Sequence, residues 1–149
     1  MNGLLALEIE RLARRMLFNN RNNTDNNNDS MWIRSHSVTP AVRWLGVFAR
    51  NELPDLSRER RPFALVLNTD PRGKTSQHWL SIYGPIYKPI ELFDSFGLSP
   101  ALYGFYYLSN KHSRIQLQSL NLALCGNYCL LYLNLRSHNL LFYYIVSYL

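Results

Sequence analysis

The stretch Leu122–Leu135 constrains this chain more than any other, because it carries apolar residues on nearly every face of a helix. A helix at a protein surface keeps a polar side, so one without it must be enclosed. A fold built from this sequence therefore has that helix at its centre and packs everything else around it. The chain has 149 residues, 47% of them hydrophobic, which is enough for one domain with a real core.

What surrounds the helix reads mainly as strand. Phe63–Leu67 is a short apolar run, His78–Tyr83 is aromatic and β-branched, and Ile90–Phe93 follows a break bracketed by Pro85 and Pro89. Ile115–Gln118 is expected as a fourth strand. Asn68–Gln77 holds Asn, Asp, Pro, Gly and Ser and reads as a turn, which makes the flanking strands antiparallel neighbours. Residues 51–62 are charged and flanked by proline, and read as a loop. Residues 31–48 are expected to be a helix or turn region, with Pro40 early in a short helix capped by Thr39. Residues 100–109 and 138–149 are expected to be further helices. The expected class is α+β, with a small, mostly antiparallel central sheet packed on the buried helix.

Residues 4–18 have apolar positions at helical spacing, Leu5, Ile9, Leu12 and Met16. They are followed at 19–29 by an Asn-rich, low-complexity stretch expected to be a flexible linker. The expected organisation is an N-terminal amphipathic segment and linker over 1–30 and a domain over 31–149. No internal repeat is evident. The start lacks an apolar core followed by a small-residue cleavage site, and the apolar run Leu140–Leu149 is too short for a membrane span, so no membrane association is expected.

Formal net charge is +6. Residues 1–30 hold four basic and four acidic side chains, so the excess lies in residues 31–149, with twelve basic and six acidic. A basic surface suits a polyanion such as nucleic acid, or serves solubility alone. Two cysteines, Cys125 and Cys129, are too few for a disulfide-stapled secreted scaffold. At helical spacing of i and i+4 their Cβ atoms stand about 5–6 Å apart, beyond disulfide reach. Free thiols and an intracellular location are expected.

The chemistry-bearing residues fall at the ends of these elements. Cys125 lies at the start of the buried helix, where the helix N-terminus favours a thiolate. His78 opens a strand, Asp94 ends the next, and Gln118 lies seven residues before Cys125. A thiol nucleophile needs a base, a group to orient the base and donors for an oxyanion, and these four residue types fill those roles. Singly, each has a plainer reading. A Cys in an apolar helix is more often structural, as Cys129 one turn deeper is expected to be, and Gln116 competes with Gln118.

Together these segments resemble the adenain family, the maturation proteases of adenoviruses and their relatives in Polinton-type mobile elements. The resemblance runs over roughly residues 31–149: Trp44-Leu-Gly-Val-Phe48 with Leu53-Pro54, Ala64-Leu-Val-Leu-Asn-Thr69, His78-Trp79, Leu92-Phe-Asp-Ser-Phe-Gly-Leu-Ser99, then Gln118, Cys125-Gly126 and Cys129. It implies His78 as base, Asp94 as orienting acid (where adenovirus enzymes have Glu), Cys125 as nucleophile and Gln118 as oxyanion donor. It also implies that Trp79, Asn68 and Gly126 line or shape the substrate cleft.

The resemblance implies a cysteine endopeptidase acting on polypeptides, such as viral or mobile-element structural proteins, as a monomer in the nucleus or with a virion. No metal or other cofactor is required, while DNA or a peptide is expected to stimulate activity. The sequence departs from the family in having only 24 residues after Cys125. Two alternatives stand beside this reading. A protease for SUMO or other ubiquitin-like proteins usually has Asp before the nucleophile, where this chain has Leu124. The other is an inactive remnant serving as a binding module.

Overall fold

The computed structural model describes residues 5–18, 41–74, 78–108 and 110–148. The Asn-rich linker and the short helix expected at Pro40 lie outside the described residues. Among those residues, four strands form one sheet in the order β1 (Arg43–Phe48), β2 (Phe63–Asn68), β3 (Trp79–Gly84) and β4 (Glu91–Phe93). The β2–β3 and β3–β4 pairs are antiparallel and β1–β2 is parallel, which gives a mostly antiparallel sheet in an α+β fold. Helix α1 spans Ala6–Phe18, α2 Cys125–Ser137 and α3 Phe142–Tyr148.

Both sheet faces are covered, which explains why β2 and β3 read as near-continuous apolar runs. Successive side chains alternate between faces. Ala64, Val66, Trp79, Tyr83 and Phe93 pack with Cys129, Leu130, Tyr132 and Leu133 of α2. Ile9 and Ala13 of α1, both fully buried, and Phe142, Ile145 and Val146 of α3 complete this layer. The amphipathic N-terminal segment is thus part of the main core, and Glu10 is further tied to it by the Trp44 indole N–H at 3.0 Å. On the other face Phe63, Leu65, Leu67, Leu80, Ile82 and Leu92 pack under Leu56, Phe105 and Leu108.

A buried polar cluster fastens α2 to the sheet. The Glu91 carboxylate, fully buried, accepts hydrogen bonds from Arg136 Nε (2.7 Å), Tyr132 Oη (2.9 Å) and Lys111 Nζ (2.5 Å). The Arg136 guanidinium also lies 4.4 Å from the centre of the Tyr83 ring. Every charge in the cluster has a partner, as burial demands.

Four expectations differ from what is found. Arg43–Phe48 is a strand, not helix or turn: its Trp, Val and Phe suit an extended chain, and it pairs along β2 from Phe63 to Leu67. Residues 115–118 form no strand, because β4 has already ended. The Leu117 and Gln118 N–H groups both donate to one carbonyl, that of Ser95, which is not a ladder pattern. This segment crosses closely over Gly97, where φ is +68° and a Cβ would stand 2.6 Å from the Ile115 carbonyl carbon. Residues 100–108 form two 3₁₀ turns, Pro100–Tyr103 and Tyr106–Leu108, separated by Gly104 in the left-handed region. The central helix begins at Cys125 rather than Leu122 and runs on to Ser137, because Arg136, polar in sequence, is neutralised by Glu91.

Candidate active site

The later start of α2 puts Cys125 at the first helical position, with Leu124 as N-cap. The first N–H groups of a helix have no acceptor within it, so that end presents donors and a partial positive charge. His78 immediately precedes β3, and its carbonyl accepts from the Thr69 N–H at 3.0 Å, which fixes the backbone. Asp94 immediately follows β4, and Ser113 clamps its backbone, its hydroxyl accepting from Asp94 N–H and donating to Asp94 C=O, both at 2.8 Å. Because β3 and β4 are antiparallel, the start of one and the end of the other meet at the same edge.

There His78 Nε2 lies 2.7 Å from Asp94 Oδ1. The Asp94 side chain is fully buried and accepts three more hydrogen bonds: Phe96 N–H (2.8 Å) to Oδ1, and Leu98 N–H (3.2 Å) and the Tyr103 hydroxyl (2.9 Å) to Oδ2. The imidazole stacks on Phe96, ring centres 4.2 Å apart and 12° from parallel, and tilts against Tyr103 at 5.7 Å. Burial together with the Asp94 charge holds the Tyr103 phenol far above its ordinary range, so it stays a donor.

Nε2 is committed to Asp94, and Nδ1 is buried with no conventional hydrogen-bond acceptor. Nδ1 is therefore the ring nitrogen left to interact with the Cys125 thiol. Burial disfavours the imidazolium, but hydrogen bonds to Asp94 and Cys125, and the charges of both, outweigh it and push His78 up to about 9. Burial likewise pushes the Cys125 thiol up. The His78 hydrogen bond, the Trp79 backbone N–H, the His78 charge and the Gly126 backbone N–H overcome it, and the thiol lies below its ordinary value. Both shifts favour moving the proton from the Cys125 sulfur to His78.

Gln118 is buried, its Oε1 accepting from Ser95 Oγ at 2.8 Å and its Nε2 donating to Leu122 C=O at 2.5 Å. A side-chain amide has two N–H donors, so one remains for a further acceptor. Gln116 Nε2 donates to the Gln118 carbonyl at 3.0 Å and so braces the same loop. Trp79 and Asn68 both line a cavity of about 140 Å³ with Val47, Phe48, Arg72 and Lys74. Gly126 sits apart from that cavity, beside the thiol. Both cysteines are unbridged.

Sequence reasoning gave no role to Phe96, Tyr103, Ser113 or Ser95. Phe96 and Ser95 lay within the Asp-Ser-Phe-Gly run. Tyr103 and Ser113 lie 9 and 19 residues from Asp94, and nothing in the sequence pattern pointed to either. Among the described residues no cluster of three or more His, Cys, Asp or Glu could hold a metal ion.

The fold and site define an α+β protein with a Cys–His–Asp constellation at one sheet edge, an arrangement suited to thiolate attack on a carbonyl. No protein-family model matches the sequence, and no curated protein matches it. Among solved structures, the selenomethionine crystal structure of the ASFV pS273R protease is similar, with a TM-score of 0.46 and 26% identity over 61% of this chain. The match covers 40% of that protease's chain.

Proposed function

We propose that this protein is a cysteine endopeptidase with Cys125 as nucleophile, His78 as general acid and base, Asp94 as the residue orienting His78, and Gln118 as an oxyanion donor. One observation carries the reading: a partly buried imidazole held at 2.7 Å by a buried carboxylate has its other nitrogen left for a thiol at a helix N-terminus.

In this mechanism the Cys125 thiolate attacks the scissile carbonyl carbon and a C–S bond forms. The carbonyl oxygen takes the negative charge and is met by the free Gln118 N–H and the Cys125 backbone N–H. The C–N bond then breaks as His78 passes its Nδ1 proton to the leaving amine. Water, losing a proton to His78, adds to the acyl-enzyme and releases the acid and the thiolate. Asp94 keeps Nε2–H aligned through its hydrogen bond at 2.7 Å. Trp79 and Asn68, which line one cavity, are assigned to the substrate cleft in this reading. Viral or mobile-element structural proteins as substrates, and DNA as a stimulating partner for a chain of net charge +6, belong to the same reading.

The test is a mass-spectrometric cleavage screen on a denatured proteome, with wild type and Cys125→Ala side by side. New peptide termini made by wild type and lost in the variant are expected. Identical termini from both proteins, or none from wild type, would sink the reading.

A further inference from the structure

The register of the sheet leaves one residue of β3 with an unusual problem. The Thr69 N–H donates to His78 C=O, so residues 69 and 78 form a hydrogen-bonded pair. Pairs alternate in an antiparallel ladder. Trp79, opposite Asn68, therefore points its N–H and C=O away from β2, towards the β4 side. There β3–β4 pairing ends at Ser81 with Phe93, so β4 does not reach Trp79. Trp79 is nevertheless buried, and unpaired backbone groups there are costly.

Both groups are served by α2. Cys125 and Cys129 are four residues apart and so share one face of the helix. The Cys129 sulfur donates to Trp79 C=O at 3.2 Å, and the Trp79 N–H donates to the Cys125 sulfur. We propose that Cys129 is a positioning residue, whose thiol grips the Trp79 carbonyl so that the N–H of the same residue stays on the nucleophile and His78, one residue earlier, stays in place. Two thiols thus hold one backbone residue from its two polar ends, one chemically active and one structural. The role requires Cys129 to remain a protonated donor, and complete burial, pushing its thiol well up, keeps it so. The Ser81 hydroxyl, buried without a conventional partner, lies against the same sulfur and steadies it.

The inference rests on Cys125 being the nucleophile, but its test needs no substrate. The rate of Cys125 alkylation by iodoacetamide is measured against pH by peptide mapping in wild type, Cys129→Ala and Cys129→Ser. Cys129→Ala is expected to move the alkylation midpoint to higher pH and to slow the reaction at ~pH 6 by about 3–10-fold, with the rates converging above ~pH 9. Cys129→Ser keeps a donor and is expected to recover most of the wild-type profile. A folded Cys129→Ala protein with the wild-type profile would overturn the proposal, as would a Ser variant shifted as far as Ala. If Cys129→Ala does not fold, Cys129→Val and Cys129→Ser make the same comparison at similar bulk. Absence of peptide cleavage by wild type would defeat the endopeptidase reading and leave this comparison standing, whereas an unchanged profile defeats the clamp alone.

Discussion

Asp94→Asn tests the electrostatics of the site with almost no change of shape. The carboxylate takes four donors, His78 Nε2 and Phe96 N–H on Oδ1, and Leu98 N–H and the Tyr103 hydroxyl on Oδ2. Asparagine offers one oxygen. If it serves His78 and Phe96, its amide nitrogen faces two donors, and leaving these unsatisfied costs about 1–3 kcal/mol of stability. The larger effect is on His78. Its rise from 6.5 to about 9 corresponds to roughly 3 kcal/mol in favour of the imidazolium, at about 1.36 kcal/mol per pH unit. Burial opposes that rise, and the Asp94 hydrogen bond is the largest contribution producing it. Without the carboxylate, His78 returns to about its ordinary value or below.

The sign follows from linkage. A base raised in the folded state contributes its stabilisation fully below its unfolded value of 6.5, and loses it as pH rises through about 9. In the variant that window closes near 6.5. At ~pH 7.5 wild-type His78 is almost wholly imidazolium, while in Asp94→Asn about a tenth is. Peptide hydrolysis at that pH is expected to fall at least ~10-fold from protonation alone, and towards 10⁴-fold if the ring also loses its alignment. The assay is the pH profile of peptide hydrolysis beside that of Cys125 alkylation. Wild type should lose activity as pH rises through about 9, and the variant near ~6.5. A variant whose alkaline limb stays where the wild type's is would refute the assignment of Asp94 as the charge that holds His78.

Two further outcomes are expected. Gln118→Ala should lower peptide hydrolysis by about 10²–10³-fold while leaving Cys125 alkylation nearly unchanged, because alkylation builds no oxyanion; equal losses in both assays would assign Gln118 to packing alone. Glu91→Gln leaves the buried Arg136 and partly buried Lys111 cations against a neutral partner, and should cost about 3–5 kcal/mol in chemical denaturation. A loss below ~1 kcal/mol would mean that solvent reaches the cluster.

The parts of this fold that were legible in the sequence are those whose pattern is local. The apolar face pattern of α2, the runs that became β2, β3 and β4, and the spacing of α1 each declare an element within a few residues. Arg43–Phe48 was misread because a parallel strand is specified by a partner some twenty residues later, Arg43 opposite Phe63, and no turn signal announces that pairing. Ile115–Gln118 has a strand's composition, but strand formation needs a free edge, and β4 turns away before the segment arrives. The start of α2 was placed early because Leu122 and Ala123 extend the apolar run; Leu122 is in fact half exposed. The same division holds in the site. His78, Asp94, Gln118 and Cys125 could be nominated as candidates from residue type, position and the family resemblance, whereas Tyr103 and Ser113, which hold Asp94 by its side chain and its backbone, become visible only in the folded chain.

The brevity of β4 organises the whole site. Had β4 continued two residues further, Ser95 would face Trp79, and its backbone would take the N–H and C=O that instead meet the two α2 thiols. Ending at Phe93 frees the chain to turn at Asp94, whose side chain accepts the Phe96 and Leu98 N–H groups and folds the turn around a single carboxylate. That turn also gives Ser95 C=O to Leu117 and Gln118, which brings the Gln118 amide to the approach to α2. Gly97 permits the close crossing, since any side chain there would collide with the Ile115 backbone. His78, Asp94 and Cys125 therefore gather at one place, with Gln118 on the approach to α2, because a strand stops after three residues, and the backbone groups it leaves unpaired find partners in α2 and in the turn at Asp94.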